Sequence, residues 1–307
     1  MVYVLALAAA VLNAVSSILQ RLGVESAPPE ASLSPKLVTH MFTKVVWLSG
    51  MALMFVGFLA QATALHLGSL AVVQPLLVTE LLFIVLALWG WYGQAVAPRD
   101  GVACLLAAGG LALFLAAGAP TDGAGVPSAR RWVEVAATVL VVVAVVVLLA
   151  RRGSPSRRAL LLGAAASTGF ALTAALTKQM TDAAVLGLAA LFTSWSTYAL
   201  VVCGATSFFL MQSAFHAGPF AASQSTLILV NPLVSILIGA ALFGEQFRPG
   251  WLAHGAAIAG LVVMAIGVVG LASSPLIAGV HDDAAGELLA GRGRLARYRA
   301  SRRGSAA

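Results

Sequence analysis

The sequence predicts an all-α polytopic membrane protein, with about nine transmembrane helices in two inverted four-helix repeats joined by a linker helix. Three observations carry that expectation. Of the 307 residues, 60% are hydrophobic and only 9% are charged, and the mean hydropathy is +0.96. A soluble domain carries about 25% charged residues, so this composition cannot make a water-facing surface. Apolar stretches of about 20 residues recur along the chain, each sufficient to cross a hydrocarbon core of about 30 Å, and the short alternating segments of a β-barrel are absent. Finally, Ala64-x-His66-x-Gly68-x-x-Ala71-x-x-Gln74-x-x-Leu77 recurs 150 residues later as Ala214-x-His216-x-Gly218-x-x-Ala221-x-x-Gln224-x-x-Leu227. Membrane folds built from two related halves place a site between them.

The elements follow in order, with ends good to a few residues. The first helix covers residues 2–22; no basic n-region precedes it, so it reads as a retained span and not a cleaved signal. A polar segment with Pro28, Pro29 and Pro35 leads to the second helix, 45–67. Gly68 marks a corner into the third, 69–92, and Pro98-Arg99-Asp100 reads as a turn. The fourth, 101–118, ends at Pro120-Thr121-Asp122-Gly123. The fifth, 132–150, has no counterpart in the repeat, and its Val, Leu and Ala run from Val139 to Ala150 suits contact with lipid. The sixth, seventh and eighth cover 159–180, 191–217 and 220–243, and the turn Gly244-Glu245-Gln246-Phe247-Arg248-Pro249 opens the ninth, 251–272. The domains are therefore 1–118, the first repeat; 119–158, a linker with helix five and a basic loop; 159–272, the second repeat; and 273–307, a basic tail expected to be disordered. Five spans separate equivalent helices, and an odd offset inverts the second half.

The net charge of +7 is concentrated in Arg151, Arg152, Arg157 and Arg158 and in a tail with Arg292, Arg294, Arg297, Arg299, Arg302 and Arg303. Clusters beside membrane spans read as topology signals and as contacts for anionic lipid, not for nucleic acid. With the N-terminus outside, four basic residues (Arg130, Arg131, Lys178, Arg248) are external and the other fourteen of 18 face the cytoplasm, with the cell membrane as location. Cys104 and Cys203 lie inside apolar spans without metal-type spacing. No cofactor is expected, and a homodimer stays open. Trp91, Tyr92, Trp132 and Trp251 read as an interfacial belt.

The second half has a small-residue corner at Gly218, Asn231-Pro232 in mid-helix, Gly244-Glu245 at a turn and a glycine-rich last helix (Gly255, Gly260, Gly267). In this it resembles the drug/metabolite transporter superfamily. The nine-span layout and Val73-Gln74-Pro75-Leu76 are more similar to the NIPA-type magnesium transporter branch, whose comparable segment reads V-T-P-L-G. Here Gln74 replaces the threonine and Leu77 the glycine. The resemblance extends to about residue 272 and implies transport of a small molecule or, on the NIPA side, of magnesium.

The candidate residues are polar groups inside apolar spans. Glu80 is the one carboxylate deep in an expected span, near the bilayer midplane, where an ionisable group must face a cavity, find a partner or be neutral. It is the candidate coupling acid and the metal ligand if any metal binds; a neutral structural acid is the alternative. Gln74 and Gln224 are repeat partners whose amides serve a polar pathway or interhelical hydrogen bonds. Pro75 and Pro232 free the carbonyls of Ala71 and Ile228 for an ion, water or substrate, or merely kink their helices. Asn231 joins the candidate pathway beside Pro232, and Asn13 and Ser17 form a polar stripe on helix one. His66 and His216 end helices at opposite faces and read as gates or, more simply, as C-terminal caps. Glu245 and Arg248 read as a surface pair or loop cap, and Lys178 as a residue that snorkels to the interface.

The expected function is a secondary transporter working by alternating access around a midplane site, with no G-x-x-x-x-G-K-[ST] for nucleotide. A magnesium or other divalent-cation pathway is the first alternative, held by Glu80 with amide and carbonyl oxygens. A non-transporting membrane scaffold or regulator is the second. An enzyme is not expected, since no nucleophile–base cluster recurs at usable spacing.

Overall fold

The computed structural model describes residues 1–24, 44–92, 97–123, 125, 127–185, 187–218 and 220–274. Within them every extended element is a helix: α1 Val2–Val24, α2 Val45–Leu67, α3 Leu70–Leu77, α4 Glu80–Tyr92, α5 Pro98–Gly118, α6 Ala129–Ala150, α7 Pro155–Val185, α8 Leu188–Thr193, α9 Trp195–Ala217, α10 Phe220–Ile238 and α11 Trp251–Ala272. Eight apolar segments among the described residues are long enough to cross a membrane, with α3 and α4 forming one broken span over Leu70–Ala87. α9 runs for 23 residues and is apolar over Trp195–Met211. The chain is an integral helical membrane protein.

Lipid tails are as apolar as leucine, so these helices associate through close packing of small residues more than through burial of oily ones. α1 lays Ala6, Ala9, Ala10 and Ala14 against its neighbours, and Ser16 Oγ donates to the Gly50 carbonyl of α2 at 2.8 Å. α5 and α11 meet at Gly110, Gly260 and Gly267, where a Cβ on any of the three would collide with the facing backbone. α7, rich in Ala, Ser, Thr and Gly, is the most buried span and packs on α2, α6, α9 and α10. α6 is the least buried span, in keeping with its expected contact with lipid, although Val139 and Ala150 themselves are covered.

Two spans depart from continuous helix. Ser69 caps α3 by accepting from the Val72 N–H at 3.2 Å, and Pro75 lies inside α3. The helix then closes into a turn at Val78–Thr79, with Thr79 Oγ1 donating to the Leu76 carbonyl at 2.6 Å, before Glu80 opens α4. Span three is thus two helices joined by a tight turn, in which the Val78 and Thr79 N–H groups donate to the Pro75 and Leu76 carbonyls at 3.2 and 3.0 Å. Likewise α10 widens into a π-turn over Gly239–Phe243 and stops at Gly244, whose φ of 68° favours glycine.

Helix ends gather at two opposite faces. At one, Gly68 lies against Val2, the Arg248 N–H donates to the Gly118 carbonyl at 2.8 Å, and Thr121 and Gln246 form an isolated antiparallel bridge. At the other, Gly218 lies against the Pro155 carbonyl. Some expected ends shift. Pro98-Arg99-Asp100 is the first turn of α5, not a loop, and Asp100 is buried there. The seventh expected helix is divided at Ser194 into α8 and α9. Trp132, in the first turn of α6, is buried edge-on to Trp195 at 5.2 Å and to Phe243 at 6.3 Å and so does not face lipid.

Candidate functional site

The central polar contact joins the two halves. Gln74, 1% exposed on α3, accepts at Oε1 from Asn231 Nδ2 on α10 at 3.2 Å. One turn along α10, Ser235 Oγ approaches Asn231 Oδ1 at 3.5 Å. The Gln74 Nε2 amide is buried with no hydrogen-bond partner among the described residues. A buried donor left unpaired in hydrocarbon is costly, so this amide has the capacity for one further acceptor. Pro75 follows Gln74 and Pro232 follows Asn231, so each partner stands beside a break in its helical ladder.

The second pair lies on the same broken span. Glu80, half-buried at the first position of α4, accepts from Ser17 Oγ on α1 at 3.2 Å. Asn13, one turn earlier on α1, lies against Gly57 of α2, where its Oδ1 fills the space a Cβ would need. The expected pathway residues Gln74, Asn231, Glu80 and Ser17 therefore form two bonded pairs, whereas Asn13 faces α2. The side chains of Gln224 and His216 lie outside the described residues, as do those of Trp91 and Tyr92 and the arginines of the tail. His66 pairs with Asp182 at the end of α7, Nδ1 to Oδ1 2.9 Å.

Two residues read from sequence as peripheral are interior. Lys178 does not snorkel: it is buried, donating from Nζ to the Gly68 carbonyl and to Asp122 Oδ1, both at 2.6 Å. Glu245 does not pair with Arg248 at the surface. It is buried too, accepting from the Leu70 and Ala71 N–H groups at 2.7 and 3.0 Å, and so caps α3 from the other half of the chain. Burial pushes the Glu245 carboxyl above its ordinary range; the Ala71 and Leu70 amides and Lys178 pull it back, and Asp122 adds to the rise. A lysine inside an apolar span was the signal available in sequence, because such a charge has to find a partner.

A cavity of about 660 Å³ lies elsewhere, between α6, α7 and α9. Its walls are mainly apolar, with Trp132, Leu172 and Trp195 among them, and neither polar pair lines it. Among the described residues no three His, Cys, Asp or Glu side chains group so as to hold a metal ion.

A helical membrane protein with two paired polar contacts between its spans, one of those spans broken, is the class that fold and site define. One relative, an uncharacterized protein of Corynebacterium glutamicum, is 25% identical over 252 residues, covering 81% of this chain and 87% of that protein. No family model matches the chain, and no solved structure matches it.

Proposed function

We propose that the protein is a secondary transporter of the drug/metabolite type, moving a small solute by alternating access between two inverted halves. The observation that carries this reading is the Gln74–Asn231 contact: a cross-half pair, flanked by prolines, with one buried amide left to receive a ligand oxygen.

The pairing of helices supports the repeat. α1 packs on α2 and on α3–α4, as α7 packs on α9 and α10; α5 meets α11 and α3 meets α10, equivalent helices facing each other. The alternation of helix ends supports nine crossings, with α9 as the seventh. Basic-residue bias then favours an external N-terminus, a cytoplasmic C-terminus and a cell-membrane location, with anionic lipid at Arg151, Arg152, Arg157 and Arg158. Within the superfamily, the resemblance around Val73-Gln74-Pro75-Leu76 keeps the NIPA-type branch as the nearest layout.

A thermal-shift screen of the detergent-solubilised protein against divalent cations, amino acids and cationic drugs identifies the ligand class, and gradient-driven uptake into proteoliposomes tests transport. Stabilisation and uptake of one class, both lost in Asn231→Leu, is the expected result. Stabilisation by magnesium alone, abolished by Glu80→Gln at every pH, would move the reading to a divalent-cation pathway. A folded, reconstituted protein that moves none of these solutes leaves the scaffold or regulator role.

A further inference from the structure

On one face of the membrane, segments far apart in sequence converge on two buried charges. Lys178, near the C-terminal end of α7, reaches the α2–α3 corner through the Gly68 carbonyl and the α5–α6 loop through Asp122, and lies 5.1 Å from the Phe243 ring centroid. Glu245, in the α10–α11 turn, holds the first two amides of α3, and its Oε1 lies 3.8 Å from Lys178 Nζ. Gly239 lies so close to the Glu245 carboxylate that a Cβ there would overlap it, which fixes the carboxylate in place. At the same face His66 of α2 pairs with Asp182 of α7. First half, linker and second half are tied together here.

We propose that Lys178, Glu245 and Asp122 form a charge latch that shuts the solute pathway at this face, with Lys178 as its movable member. The proposal rests on the alternating-access reading, in which the halves must part at one face as they close at the other. The chemistry separates the latch into a fixed and a releasable side. Glu245 is held by two backbone amides and by a close-packed glycine. Lys178 has a flexible four-carbon stem, and its partner Asp122 is 45% exposed, so water can compete for that bond. A buried charge parted from its partner is costly, so the latch opens only as Lys178 reaches water at the exposed Asp122 side. The latch also holds the start of α3, the helix that carries Gln74 and Pro75.

The test uses a full-length chain with Cys104→Ala, Cys203→Ala and the reporter Ser235→Cys, which places a thiol beside Asn231. A membrane-impermeant methanethiosulfonate is applied to proteoliposomes from each side in turn. Asp122→Asn and Lys178→Gln are expected to raise the labelling rate of the reporter at least fivefold from the latch's face and not from the other. Asp122→Asn alters an exposed loop side chain, so it remains informative if Lys178→Gln fails to fold. Labelling within twofold of the parent in folded Asp122→Asn overturns the latch. Conversely, Asp122→Cys with Lys178→Cys, joined by a bifunctional methanethiosulfonate in a chain keeping Ser235, is expected to block uptake until reduced; full uptake in the bridged protein also overturns it. If the parent shows no uptake at all, the carrier reading fails, while the labelling rates still decide whether this face is latched.

Discussion

Asn231 Nδ2 donates to Gln74 Oε1 at 3.2 Å across 157 positions of sequence, and the second half of the chain thereby binds the first at a buried amide. The bond satisfies only one side of Gln74. Its Nε2 has no partner among the described residues, and on the transporter reading the stability and the activity of the protein should respond to this pair in different ways.

Asn231→Leu strands the remaining polar atoms of Gln74 and is expected to destabilise the protein by about 1–3 kcal/mol. Gln74→Leu with Asn231→Leu removes both partners, and the coupling recovered should be about 0.6–1.7 kcal/mol, the range of interhelical hydrogen bonds in membranes. Reversible unfolding in mixed detergent micelles measures both. Uptake should be absent in the double variant despite its better stability; wild-type uptake there would remove the pair from the pathway.

Glu80 accepts from Ser17, so Glu80→Gln keeps an acceptor oxygen at the same place but exchanges no proton. A coupling acid predicts a folded Glu80→Gln variant without gradient-driven uptake at either of two pH values. A neutral structural acid predicts near-normal uptake in Glu80→Gln and greater damage in Glu80→Leu, which leaves the Ser17 hydroxyl unpaired. Proteoliposome uptake of both variants separates the two.

The α5–α11 contact predicts a contrast between adjacent glycines. A Cβ at Gly110 would enter the Met264 backbone, whereas one at Gly109 meets nothing within 4 Å. Gly110→Ala is expected to destabilise by about 1–3 kcal/mol through overpacking. Gly109→Ala is expected to be neutral or to stabilise by up to about 1 kcal/mol, since alanine is the better helix former. Equal effects at the two positions would refute the close backbone approach.

Orientation has its own readout. In the Cys104→Ala, Cys203→Ala chain, Gly125→Cys should react with an impermeant maleimide in intact cells, whereas Ala300→Cys should react only after permeabilisation. The reverse pattern would invert the topology and place the latch on the cytoplasmic face.

The sequence by itself determined the membrane class, most of the spans, and the short set of polar residues from which the two bonded pairs are drawn; Pro75 and Pro232, expected to break their helices, both lie inside continuous helix. Gln74, Glu80 and Asn231 stood out because a polar group in an apolar stretch is expensive in lipid and therefore rare. The tertiary structure decided which of them meet. Nothing local in the chain says that Gln74 bonds Asn231, that Ser17 rather than Asn13 reaches Glu80, or that span three breaks fully at Val78–Thr79. Lys178 and Glu245 were misplaced for the same reason. Proximity to a helix end or a turn reads as interfacial, and the burial of each comes from Gly68, Leu70, Ala71 and Asp122, more than 50 residues away in every case. Composition and spacing fix the solvent in which a segment is stable; partners are fixed only when distant segments pack, because hydrogen bonds and ion pairs act over a few ångströms of space and are indifferent to separation along the chain.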